Sequence, residues 1–146
     1  MFLKGNHVMV DIETLSTRVA ARVLQVAAVV FTSKGIVDAR SWSLNQYQQP
    51  HRHIEISTLD FWLKTNPTRL AELTKGASQI EMVVEEFAKL EEKYNPTGWW
   101  AHSPSFDMMI LDDLFRGVKG KAPWTYRNCF DTRTLSLVSG KKMVKA

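Results

Sequence analysis

The chain has 146 residues, which fits one domain of roughly 100 to 200 residues and excludes a multidomain machine. Hydrophobic residues make up 45% and charged residues 23%, values of a globular protein rather than a disordered or collagen-like one. The formal charge of +4 favours a polyanionic partner without identifying it. One cysteine, Cys129, rules out an intramolecular disulfide and a cysteine-rich zinc site, so a reducing, cytoplasmic setting is expected. The longest apolar run, Val26 to Phe31, is far short of the ~20 residues of a spanning helix, and neither a membrane segment nor a secretion signal is predicted.

In chain order, His7 to Ile12 is apolar and β-branched, Val23 to Thr32 repeats that character, and Ser33-Lys34-Gly35 supplies a turn into a third strand, Ile36 to Leu44. Short connections predict an antiparallel meander opening a mixed sheet. The apolar period then lengthens. Leu59, Trp62 and Leu63, then Leu70 and Leu73, then Ile80, Val83, Val84, Phe87 and Leu90 follow helical spacing. Asn66 before Pro67 marks one helix start, Gly76 a stop, and Ser78 with Glu81 a capping box. Asn95 to Gly98 breaks the pattern before a short buried strand at Trp99, Trp100 and Ala101. A helix is predicted over Phe106 to Phe115 with Gly117 at its end, and a last strand at Tyr126 to Phe130. That strand leads through Asp131 and Thr132, candidate N-caps, into a helix starting near Arg133. The tail from Lys141 to Ala146 reads as stopping without a closing element.

Two acidic features carry chemistry. Asp11 and Glu13 are two residues apart on the first strand, so extended backbone points both carboxylates to one face, where they repel unless a cation lies between them. Hard oxygen donors suit Mg²⁺ or Mn²⁺ better than zinc. A bare Asp-x-Glu is common, and a solvated strand end explains most isolated instances. The second feature is Trp99-Trp100-Ala101-His102-Ser103-Pro104-Ser105-Phe106-Asp107, a strand leading through a tight loop to an acid in the first turn of a helix, a place that the macrodipole favours even without a metal.

Together, Asp-Ile-Glu-Thr on the first strand and His-Ser-Pro-Ser-Phe-Asp after an aromatic strand resemble the first two motifs of the DEDD (DnaQ-like) 3′-5′ exonucleases. Ile56 to Leu63 and Tyr126 to Leu135 are similar to the branch containing phage exodeoxyribonuclease A and the mycobacterial-type exoribonucleases, so the resemblance spans nearly the whole chain. It implies an α/β RNase H-like fold: a mixed five-stranded sheet, three antiparallel strands followed by parallel additions, flanked by helices. It also implies two divalent ions, Mg²⁺ or Mn²⁺, about 4 Å apart. Asp11 would contact both, Glu13 would complete the nucleophile-side ion, and Asp107 would serve the second. Thr14 and Leu15 resemble positions that meet the terminal nucleotide, by polar contact and as an apolar wedge, although a turn cap and a strand-end core residue are open readings. Trp62 could stack on a base, or pack in the core with Leu59 and Leu63. His102 reads as structural, and Ser103 stands where many relatives have Asn.

The family's fourth acid, in a His-type or Tyr-type C-terminal motif, has no match after Asp107; Asp131 reads as a helix cap or a group behind the ligands. The expectation is therefore a single exonuclease domain over residues 1–146 with its C-terminal helix missing or incomplete, and weakened activity. The implied partner is a single-stranded 3′ end or short oligonucleotide, DNA or RNA, releasing 5′-mononucleotides, and the resemblance allows a homodimer. Two alternatives stay open: a nucleic-acid-binding or regulatory module that keeps the fold without the chemistry, and an endonucleolytic RNase H-like activity.

Overall fold

The computed structural model describes residues 3–140. Five strands form one sheet in the order β3-β2-β1-β4-β5: β1 (His7–Thr14), β2 (Val23–Thr32), β3 (Gly35–Ser43), β4 (Gly98–Ala101) and β5 (Cys129–Asp131). The first three pair antiparallel, whereas β4 runs parallel to β1 and β5 parallel to β4. This is the predicted mixed sheet. Helices α1 (Ile56–Thr65), α2 (Pro67–Leu73), α3 (Ile80–Tyr94), α4 (Pro104–Gly117) and α5 (Thr132–Ser139) complete it. None is long and apolar enough to cross a membrane.

Period-two alternation decides which face of the sheet is packed. Val8, Val10 and Ile12 of β1 and Val26, Ala28 and Val30 of β2 turn inward onto Ile80, Val83, Phe87 and Leu90 of α3 and Ile110, Leu111, Leu114 and Phe115 of α4. Phe87 is the hub, ringed by Trp42, Trp99, Phe115 and Trp124 with centroids 5.5 to 5.9 Å away. The opposite face carries His7, Met9, Asp11 and Glu13. A bulge inserts Leu24 between the pairs Glu13–Gln25 and Thr14–Val23, and Leu24 joins Leu15, Trp62, Leu70 and Leu73 in a second cluster beneath α1 and α2.

Several ends differ from the sequence reading. The predicted Ser78–Glu81 capping box does not form: Gln79 is the N-cap of α3 and makes no side-chain bond there. Gln48, from the turn before α1, takes that role, accepting from the Ile80 N–H at 2.7 Å and donating to Glu81. The helix after β4 begins at Pro104, earlier than Phe106, because proline fits a first helical position where no amide bond is lost. Gly117 does close α4, but the left-handed residue is Lys119, at φ 59°. Gly76 is required by proximity instead of by a left-handed cap, since a Cβ there would lie 2.5 Å from the Ser43 carbonyl carbon. β5 is shifted to Cys129–Asp131 because Thr125 to Asn128 forms a turn, with the Thr125 N–H bonded to Asn128 Oδ1 at 2.8 Å. Asn66 caps α2 and Asp131 caps α5 as predicted, accepting from the Arg69 and Arg133 amides at 3.1 and 2.8 Å. The tail from Lys141 to Ala146 lies outside the described residues.

Candidate active site

β4 pairs with β1 only from His7 to Met9, so the β4-side edge of β1 is free of ladder bonds where Asp11 and Glu13 stand. The chain leaves β4 through His102 and Ser103 and turns into α4, whose first turn fills that gap with Asp107. Asp11 keeps solvent access, Glu13 is half-buried and Asp107 is buried, with 5% of its surface exposed. The Ile12 N–H donates to Asp11 Oδ1 at 3.0 Å, and the same amide favours the Asp107 carboxylate. The structure thus brings together the three acids that the sequence singled out.

Their charges are unresolved by protein partners. Burial, then the negative charge of Asp11, pushes the Asp107 carboxyl up to about 7, with Glu13 adding a smaller push. Burial also lifts Asp11, against the Ile12 amide and His102, and burial with Asp11 lifts Glu13, against Arg69. None of the three acids forms an ion pair among the described residues. Among those residues no group of three or more His, Cys, Asp or Glu side chains is arranged to hold a metal ion as it stands. The donor chemistry nevertheless fits a divalent cation, because three convergent hard-oxygen groups that resist ionisation are stabilised by added positive charge.

Thr14, Leu15 and Trp62 also meet, but below the surface. The Trp62 indole N–H donates to the Thr14 carbonyl at 3.0 Å, and the ring is 8% exposed among Leu15, Leu70 and Leu73. A ring so enclosed has no free face for a base, and the core alternative describes its position. The Thr14 hydroxyl donates to the Ser16 carbonyl at 2.7 Å, and Leu15 is 5% exposed. The loop that follows is tied to the segment before α1: Ser16 Oγ and His53 Nδ1 lie 2.6 Å apart, and the Glu55 N–H donates to the Leu15 carbonyl at 2.8 Å. Arg69, whose charge acts on Glu13, was not picked out by the sequence reading. Only the Asn66-Pro67 helix start hinted at Arg69, by placing it in a first turn.

The profile of the Rv2179c-like 3′-5′ exoribonuclease domain matches residues 6–146. The chain belongs to this family. No curated protein matches it in sequence. Among solved structures the Rv2179c-like chain is similar to exonuclease I in a product-bound form, with TM-score 0.70 and 14% identity over 90% of this chain and 31% of that one. It is similar to E. coli exonuclease I with a dA13 oligonucleotide, at TM-score 0.70 and 14% identity, covering 94% of this chain and 30% of the other. A zinc-bound complex of E. coli exonuclease I with single-stranded DNA gives TM-score 0.66 and 15% identity, over 88% and 28%. The Rv2179c-like domain therefore shares the fold of a part of exonuclease I and spans less than a third of those chains.

Proposed function

We propose that this domain is a metal-dependent 3′-5′ exonuclease that hydrolyses phosphodiester bonds at single-stranded 3′ ends and releases 5′-mononucleotides. The observation that carries this reading is the approach of Asp107 to Asp11 and Glu13 at the unpaired end of β1. The family's name points to RNA, and the exonuclease I complexes to single-stranded DNA.

Asp11, Glu13 and Asp107 would hold Mg²⁺ or Mn²⁺. When bound, such ions activate water and stabilise the leaving 3′ oxygen in phosphoryl displacement. The chain's own residues supply the rest. Asp11, facing solvent, presents its carboxylate to the phosphate side, while Asp107 closes the site from the protein side. Thr14 and Leu15, buried directly after the acid pair, support the site from beneath, and Trp62 holds that segment by its bond to the Thr14 carbonyl. No further acid is coupled to the three among the described residues, since Asp131 is engaged in capping α5. That favours one second reading, binding without cleavage.

The test is incubation with 5′-labelled single-stranded RNA and DNA in Mg²⁺ or Mn²⁺. A ladder shortened one nucleotide at a time from the 3′ end, lost in EDTA and in Asp11→Ala, supports exonuclease action. Retention without shortening supports the binding reading, and internal fragments would replace both with endonucleolytic cutting.

A further inference from the structure

Arg69 lies in the first turn of α2, whose N-cap, Asn66, accepts from the Arg69 amide at 3.1 Å. Its side chain does not run into solvent. Arg69 Nη2 donates to Gln25 Oε1 at 2.9 Å, and Gln25 is the cross-strand partner of Glu13, so the half-buried guanidinium is held on the sheet face that bears the acids. The Glu13 carboxylate feels its positive charge. Yet Arg69 forms no ion pair among the described residues: its fixed partner is a neutral amide, which orients the guanidinium without neutralising it.

A cation kept in this state beside three acids has a use. The acids repel a polyanionic strand, and a phosphodiester arriving there meets a negative field unless a fixed positive group offsets it. A planar fork with free N–H donors matches phosphate oxygens better than a point charge does. We propose that Arg69, oriented by Gln25, is a substrate-binding residue that takes a phosphodiester of the strand next to the one held at the acids. This deepens the exonuclease reading and rests on it. The competing role, a strut between α2 and the sheet, would need the same Gln25 bond but no substrate.

The experiment measures binding of a labelled short single-stranded oligonucleotide to the whole chain in EDTA, which prevents cleavage, over a series of salt concentrations. Arg69→Gln is expected to weaken binding about tenfold and to reduce the slope of log affinity against log salt by about 0.7, the value for one lost phosphate contact on a single strand. Arg69→Lys keeps the charge and is expected to retain the slope while binding several-fold more weakly. Gln25→Leu should do the same, since it frees the guanidinium without removing it. Arg69→Gln with native circular dichroism but unchanged affinity and slope overturns the proposal, and leaves the exonuclease reading intact if the wild-type chain still shortens 3′ ends. If the Gln variant misfolds, Lys and Leu variants that both bind like wild type overturn it too. A wild-type chain that neither binds nor cuts removes the exonuclease reading and this proposal together.

Discussion

Asp107 of α4 is buried against the edge of β1 where Asp11 stands, and that burial, together with the negative charge of Asp11, makes the Asp107 carboxyl resist ionisation. The consequence for stability has a definite sign. The folded chain holds the Asp107 proton up to about pH 7, whereas an unfolded aspartate releases it near 3.8. Between those limits the folded state binds more protons, so stability of the metal-free protein falls as pH rises from about 4 to 7 and levels off above. Asp107→Asn removes that dependence. Chemical denaturation in EDTA at pH 8 should show the variant more stable than wild type by about 4 kcal/mol, with the difference gone at pH 4.

Arg52 ties the loop after β1 to the helix that carries Asp107. Its guanidinium is almost wholly buried and donates to the carbonyls of Ala21 and Val19 at 2.7 and 3.2 Å, and to Asp113 of α4 at 2.9 Å. Arg52→Met leaves two carbonyls and a carboxylate without this donor. Urea unfolding should report a loss of about 3 kcal/mol. Asp113→Asn removes only the half-exposed partner and should cost about 1 kcal/mol.

Two glycines should respond in opposite directions to alanine. At Gly76 the new Cβ would fall within 2.7 Å of the backbone of Ser43 and Leu44, so Gly76→Ala should lower the melting temperature by several degrees. At Gly117, the last residue of α4, nothing lies within 4 Å and φ is not positive; Gly117→Ala should stabilise by about 0.5 kcal/mol.

Cys129 lies on β5 opposite Trp99, and burial pushes its thiol up to about 11. At pH 8 the folded protein should alkylate with iodoacetamide about a hundredfold more slowly than the urea-unfolded chain, as read by mass spectrometry over time.

Much of this architecture was legible from local pattern. The bounds of β2, Val23–Thr32, follow from an unbroken β-branched run with a turn signal behind it, and the caps Asn66 and Asp131 act on amides two or three residues away. Asp11, Glu13 and Asp107 were recognisable because motif and topology together force the β4–α4 turn beside β1. What escaped was non-local. Gln48 caps α3 from 32 residues upstream, and no window of sequence connects them. Arg69 reaches the acids only through a pairing register that includes a bulge at Leu24. The periodicity that singles out Trp62 is shared by core and surface aromatics, and only packing distinguishes them.

The central claim is that three acids, far apart in sequence, act as one site for a divalent cation. Titration of Mn²⁺ into the protein at neutral pH, followed by calorimetry, tests it most directly. The account predicts saturable binding that Asp107→Asn weakens at least tenfold while the variant stays folded; an Asp107→Asn protein that binds Mn²⁺ as tightly as wild type would contradict it.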